Sequence, residues 1–207
     1  DGLDITYNDS IDYYGYFDPR RCYSYSTTNS RFEPGAAATG TKSHHCSNAW
    51  SGNLLNWATM TRMDVMRKTL YGGYRSTDNN GAALGDTVLE RAFLPDDTHA
   101  FAKVFSAPSG STMSNFVPST YSTHTSLSFC NVTPSASGVS HSITAAPRIL
   151  LAAGAFPRWA MTEAPQCTTG SGDRPAATLA SLIARVAVCA PGKLEDNCTA
   201  YGDGFGV

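Results

Sequence analysis

Six cysteines, Cys22, Cys46, Cys130, Cys167, Cys189 and Cys198, constrain this chain more than any other feature. None stands in the C-x-x-C or mixed Cys/His spacings of zinc ribbons, thioredoxin-like redox centres or attached c-type haem. An even set without metal spacing reads as disulfides. Bridges persist in oxidising compartments, so the chain is expected to be exported: periplasmic, secreted or at the cell surface. Composition agrees. Charged residues make up 15% of the 207, Ser and Thr number 22 each, and Lys is scarce, so hydroxyls cover more of the surface than charges do. The formal net charge of −2 supplies no long-range pull on nucleic acid or on an anionic membrane. No apolar run approaches the ~20 residues that span a bilayer, and the longest, Ile149 to Ala153, is strand-sized. The chain opens at Asp1 without a basic and apolar leader, which reads as a processed chain or a piece of a longer one.

Three regions follow from local pattern. Residues 1–50 hold Tyr7, Tyr13, Tyr14, Tyr16, Phe17, Tyr23, Tyr25, Phe32 and Trp50 among Gly, Pro, Asn, Asp and Ser, with neither helical nor strand periodicity. This stretch is expected to be an ordered loop whose rings form either a local core or a ligand-stacking face. A Cys22–Cys46 bridge would close a loop of about 24 residues and contribute on the order of 3 kcal/mol in the chain-entropy description. Residues 51–125 open on a helix: Ser51 is a good N-cap, the pattern runs from Gly52 to Leu70, and Gly72-Gly73 ends it. At 100° per residue Leu54, Leu55, Ala58, Met63, Val65, Met66 and Leu70 share one half of the wheel, with Arg62 inside that arc and Asp64 and Lys68 paired on the other side. Tyr74 to Asp86 is rich in turn residues, Asp97 could cap a helical stretch to Phe105, and residues 106–126 are a Ser/Thr/Pro-rich loop.

Residues 126–207 change character. Leu127 to Val132, Arg148 to Ala153 and Ala184 to Cys189 read as strands of one sheet, with a helical turn at Phe156 to Glu163 packed on it. Of the three pairings open to the four cysteines there, Cys130 with Cys167 and Cys189 with Cys198 is the simplest. The expected fold is α+β: one long amphipathic helix and a small, mostly antiparallel sheet with long disulfide-stapled loops, the three regions able to pack as one domain.

Catalytic constellations are scarce. There is no His-Glu-x-x-His, no nucleophile elbow and no phosphate loop, and Gly202 to Gly206 opens no helix. His44-His45-Cys46 lacks partner ligands at suitable spacing, and Asp78-Asn79-Asn80-Gly81 with Asp86 lacks the EF-hand order, so neither metal nor cofactor is expected. With all six cysteines in bridges, no thiol is left as a nucleophile.

Particular strings carry a further inference. Tyr14-Gly15-Tyr16-Phe17-Asp18-Pro19, Cys22-Tyr23-Ser24-Tyr25, Cys46, and the block Trp50-Ser51-Gly52-Asn53-Leu54-Leu55-Asn56-Trp57 continuing through Arg62 and Asp64 to Gly73 resemble the N-terminal part of the PilY family. Val88 to Ala92, Pro95-Asp96-Asp97, Cys130 to Thr133, Trp159, Cys167, Val186 to Cys189 and Leu194 to Cys198 extend the resemblance along nearly the whole chain. These are tip-associated adhesion and assembly proteins of type IV pili. The resemblance implies a segment of a large exported protein at the pilus tip, docked on minor pilins. It also raises a von Willebrand A-like domain, with the helix from Ser51 as its first helix. The metal-binding Asp-x-Ser-x-Ser motif of such domains is not matched by Asp4 to Asn8, so no metal site carries over.

The reading that results is a non-enzymatic, type IV pilus-associated surface adhesion and assembly protein. Its stapled loops would present Tyr, Trp and hydroxyl groups to minor pilins, other pilus components, or host and surface ligands, with little salt dependence. The alternative is a self-associating subunit of an extracellular filament that pairs through exposed strand edges.

Overall fold

The tyrosine-rich start, expected as irregular loop, instead forms a β-hairpin. In the computed structural model, which describes residues 6–78, 87–94, 100–134, 145–161 and 166–189, β1 (Arg21–Ser26) pairs antiparallel with β2 (Arg31–Ala37). The period-2 signal is short: Cys22 and Tyr23 are buried, Ser24 is exposed and Tyr25 is half-buried. Pro34-Gly35 and a register shift between Arg21 and Tyr23 interrupt the regular pattern. Ser30, at a φ of 51°, takes the left-handed conformation that closes the turn.

The remaining elements are β3 (Trp50–Ser51), α1 (Gly52–Thr59), α2 (Arg62–Tyr71), β4 (Arg75–Asp78), β5 (Thr87–Glu90), β6 (Phe101–Phe105), α3 (Ser119–Ser122), β7 (Leu127–Val132), β8 (Arg148–Ala153), β9 (Ala180–Ile183) and β10 (Arg185–Cys189). They form two sheets. The first runs β3-β1-β2-β10-β5-β4, and the second is the antiparallel meander β6-β7-β8-β9. The strand at 185–189 thus joins the N-terminal hairpin and not the sheet of β7 and β8. It does so through one parallel pairing, Val186 with Phe32, while its other side pairs antiparallel with β5. Pro34 is tolerated in β2 because β10 meets that strand only at Phe32. Residues 101–105, expected as the end of a helix, are the edge strand β6, and Arg75–Asp78 within the turn-rich stretch is β4.

The single long amphipathic helix does not exist. It is cut at Met60-Thr61, which are both extended, into two helices of eight and ten residues. Two capping devices stabilise the break. Thr61 accepts from the Asp64 backbone N–H at 3.1 Å, and the Asp64 carboxylate accepts from the Thr61 N–H at 2.9 Å, a reciprocal box that starts α2. At the end of α1 the Trp57 carbonyl accepts from Lys103 Nζ at 2.7 Å and the Ala58 carbonyl from Asn131 Nδ2 at 2.9 Å. Groups that a continued helix would have bonded internally find side chains of β6 and β7 instead. Because the wheel restarts at Arg62, Met63, Met66 and Leu70 turn outward and Arg62 is exposed, not folded into an apolar arc. A von Willebrand A-like assignment falls with the long helix, since such domains are doubly wound parallel sheets and among the described residues the strand pairings other than Val186 with Phe32 are antiparallel.

One aromatic core joins both sheets to α1. Tyr7 meets Trp57, Phe105 and Phe116 edge-on at centroid distances of 5.7, 5.4 and 5.5 Å, and Phe17 meets Tyr23 and Phe32 at 5.1 and 5.3 Å. Trp50 reaches Phe129 of the second sheet at 6.1 Å. T-shaped pairs of this kind contribute about 0.5–1.5 kcal/mol each beyond their buried area. A smaller cluster holds Trp159 beside Cys130 and Cys167. Disulfides join Cys22 to Cys46 and Cys130 to Cys167, with S–S distances of 2.03 and 2.12 Å. Cys198, the expected partner of Cys189, lies outside the described residues, as do the turn at 79–81 and the glycine run at 202–206.

Candidate interaction surface

The block from Trp50 to Asp64 builds the interior. Ser51 Oγ accepts from Leu54 N–H at 3.3 Å and starts α1, all eight residues of which are buried. Gly52 is required by space, since a Cβ there would sit 2.0 Å from the Asp18 carbonyl oxygen. A Cβ on Gly15 would likewise meet Asn56 Oδ1 at 2.3 Å. One turn apart on α1, two asparagines hold the N-terminal segment. Asn53 Oδ1 accepts from Tyr13 N–H at 2.8 Å, and its amide donates to the Ile11 carbonyl and the Tyr7 hydroxyl. Asn56 Oδ1 accepts from Phe17 N–H at 3.0 Å, and its amide donates to the Tyr13 and Phe17 carbonyls at 2.8 Å. A side-chain amide carries donors and an acceptor together, which is what a segment without regular pairing needs from a neighbouring helix.

Charged groups inside the fold are equally engaged. Asp64 is fully buried. Beyond the capping box it accepts from Ala92 N–H at 2.7 Å, tying α2 to the end of β5. Arg91 donates to Asn131 Oδ1 at 2.5 Å and to the Val132 and Arg148 carbonyls at 3.1 and 2.9 Å. Burial pushes its pKa down to about 10, against the opposing charges of Asp64 and Glu90. His44 is buried with Nδ1 2.9 Å from the Asp9 carbonyl and Nε2 3.0 Å from Asp12 Oδ1, while His45 Nε2 lies 2.9 Å from Asp9 Oδ2. Burial works to raise the Asp12 pKa, but the Arg20 hydrogen bond and the His44 and Arg20 charges outweigh it, and the net shift is downward. The two histidines clasp residues 9–12 and take no metal geometry. Among the described residues no group of three or more His, Cys, Asp or Glu could hold an ion. Arg91, Lys103, Asn131 and the His/Asp clasp escape sequence reading because their partners are distant in the chain. The Thr61-x-x-Asp64 spacing, by contrast, was a visible signal for the helix break.

This packing corrects the expectation of a surface presenting its aromatic rings. Tyr7, Tyr16, Phe17, Tyr23, Phe32, Trp50 and Trp57 are core residues, and of the named motif residues Tyr14 and Arg62 are exposed while Asp18 and Pro19 are half-buried. A cleft of about 280 Å³ lies beside the Cys22–Cys46 bridge, lined by Thr39, His45, Ser47, Asn48, Ser114, Asn115 and Ser119. Its polar atoms serve the fold: Asn48 Oδ1 accepts from Ser119 N–H and Asn115 Oδ1 from Thr112 N–H. The larger exposed apolar surface belongs to α2 and its neighbours. Met63, Met66 and Leu70 are 49%, 54% and 75% exposed, and Tyr14, Tyr71 and Tyr74 lie open as well. Lys68 Nζ sits 4.5 Å over the Tyr14 ring and donates to the Gly15 carbonyl at 2.5 Å, and the Arg67 guanidinium lies 5.4 Å over Tyr74. Burial pushes the Lys68 pKa down to about 8, against the opposing Asp18 charge.

Two sheets, each with one strand bridged by a disulfide to a nearby loop, with Asp9, His44, Asp64 and Arg91 bonded within the fold and Met, Leu and Tyr exposed on α2, define a small α/β domain. The description "PilY1 homolog, small alpha/beta domain" matches residues 4–152, and the chain belongs to that family. It is 38% identical over 119 residues to a "Type IV pilus biogenesis factor PilY1 homolog" of Xylella fastidiosa (strain Temecula1), covering 56% of this chain and 8% of that protein. A second protein of the same name and strain is 35% identical over 96 residues, covering 42% of this chain. The matched part is thus 8% of the length of either relative. No solved structure matches the chain.

Proposed function

We propose that this chain serves type IV pilus biogenesis as a non-enzymatic contact domain of a cell-surface or pilus-tip protein. Its partners are minor pilins or other pilus components, and adhesion to host or inert surfaces is part of the same role. The observation that carries the reading is how the polar groups are used: the buried Asp9, His44, Asp64 and Arg91 are all bonded within the fold, while apolar side chains stay exposed on α2. Catalysis needs an acid, base or nucleophile facing a substrate, and contact needs unpaired apolar area. Family membership supports the pilus setting, and the two relatives carry pilus biogenesis in their names. Location outside the cytoplasm is supported by the two disulfides. No helix among the described residues is long and apolar enough to cross a membrane.

The test is an in-frame deletion of this domain from the chromosomal gene, followed by counting surface pili and measuring surface attachment and pilus-driven motility. Loss of pili or attachment, restored by the wild-type gene, is expected. Normal pili, attachment and motility in the deletion strain would overturn the reading.

A further inference from the structure

We infer that the cleft beside the Cys22–Cys46 bridge binds a neutral hexose ring at the end of a glycan, with the Asn48 amide as its central hydrogen-bond donor. The inference goes beyond the contact role proposed above and does not depend on it, because it rests on residues other than those of α2. The cleft, about 280 Å³, lies between two segments, 39–48 and 114–119. Its walls are tied to each other and to the core. Cys46 N–H donates to the Asn115 carbonyl at 2.6 Å, and the His45 ring meets the buried Phe116 edge-on at a centroid distance of 5.0 Å. Within the first wall Thr39 and His45 exchange backbone hydrogen bonds at 2.8 Å, and the disulfide fixes Cys46 to Cys22 of β1. A site built this way is ordered before a ligand arrives and loses little conformational freedom on binding.

Asn48 sets the chemistry. It stands at a φ of 52°, a left-handed conformation that Asn tolerates better than most residues. Its Oδ1 accepts from Ser119 N–H at 2.8 Å, which fixes the plane of the carboxamide and which end is the nitrogen. That nitrogen donates to no group among the described residues, and the Ser47 and Ser119 hydroxyls take no partner there either. Among the described residues that line the cleft there is no Lys, Arg, Asp or Glu, and His45 Nε2 is already held by Asp9 Oδ2 at 2.9 Å. A charged ligand would shed its water and meet no opposite charge, so a neutral one is favoured. Hydroxyls match the lining group by group: a sugar hydroxyl can accept from the Asn48 amide while it donates to a serine oxygen. The volume stands at the small end of ligand clefts, which run from about 300 Å³ upward, and suits one ring more than a chain of them.

The test titrates the whole chain with methyl α-mannoside, methyl α-glucoside and methyl β-galactoside, followed by amide chemical shifts. At least one glycoside is expected to bind with a Kd of about 1 mM, the range open to a ligand of this size, with shifts confined to residues 39–48 and 114–119. Asn48→Asp keeps an oxygen for Ser119 N–H and removes the amide donor, and it should weaken binding by about tenfold. Ser119→Ala removes a hydroxyl and leaves the N–H bond, and it should weaken binding by a smaller factor. Both variants should unfold near the wild-type urea midpoint, because both residues are exposed.

Several outcomes would each overturn the inference: no shifts at about 50 mM glycoside, shifts centred elsewhere, equal shifts from glycerol, or tighter binding of acetate or N-acetylneuraminate. Binding of a free hexose but not of its methyl glycoside, or an Asn48→Asp variant that binds like wild type, would do the same. The contact-domain reading stands or falls separately, on pili, attachment and motility in the deletion strain.

Discussion

Two helices joined at Met60-Thr61 meet opposite fates. All eight residues of α1 are buried, and of the ten in α2 only Asp64 is. Apolar content alone does not decide which helix goes inside, since α2 carries Met63, Val65, Met66, Leu70 and Tyr71. The difference lies in polar complementarity. The neighbours of α1 offer a partner for each polar group it buries: Tyr13 and Phe17 for its asparagines, Lys103 and Asn131 for its last carbonyls. Burial of a helix depends on satisfying its polar atoms as much as on covering its apolar ones. The second helix is tied to the body through Asp64 and Lys68 and keeps Met63, Met66 and Leu70 outward.

The sharpest way to break this contrast is Trp57→Ala. It should cost about 3–5 kcal/mol as a cavity in the aromatic core, read as a large fall in the urea midpoint; a loss below about 1 kcal/mol would mean α1 is not the centre of the fold. Next comes Asp64→Ala, which removes the buried carboxylate that both caps α2 and ties it to Ala92. It strands the Ala92 and Thr61 N–H groups and leaves Arg91 without the nearby carboxylate charge, so roughly 2–3 kcal/mol should be lost. A wild-type midpoint would show α2 to be held by other contacts.

A smaller effect should come from pH. Because Lys68 titrates at about 8 in the fold and at 10.5 in the unfolded chain, the unfolded state holds the extra proton between those values, and stability must rise with pH across that window. Above pH 10.0 the sign reverses for Tyr7, Tyr16 and Tyr23, whose pKa values burial pushes upward. There the unfolded chain gives up protons that the fold retains. Denaturation at about pH 8 and about pH 10 should show the rise in wild type and its absence in Lys68→Met; the same rise in both would assign it elsewhere. The smallest effect belongs to Met66→Gln, expected within about 0.5 kcal/mol of wild type. A larger loss would place that side chain in the fold and not on a contact face.

The strands at 127–132 and 148–153 were readable because each keeps an apolar pattern over six residues. Two properties hid the rest. The hairpin β1–β2 has its period-2 signal broken by Pro34, Gly35 and a register shift, so its tyrosines look aperiodic although Tyr23 is core. The helix from Ser51 looked continuous because the wheel scored apolar content and ignored Thr61-x-x-Asp64, where the capping box outcompetes propagation. The motif Trp50, Gly52, Asn53, Asn56, Trp57 was legible as a family signature, but its structural part was not: Asn53 and Asn56 hold the segment from Tyr7 to Phe17, while the exposed apolar side chains stand on the next helix. The His44/His45 clasp and the Arg91 node lie beyond local reading because their partners are brought together only by tertiary folding.

The parallel pairing of Val186 with Phe32, the one such pairing among the described residues, sets an order of events in time. Residues roughly 150 positions apart must meet before the six-stranded sheet is complete, and such distant closures are slow compared with hairpin formation. As the chain emerges from amino to carboxyl end, β2 and β5 are laid down early and each must wait for β10 with an unpaired flank. A domain of this topology completes the six-stranded sheet only once β10 has arrived, and an interrupted chain offers two open strand edges to whatever lies nearby.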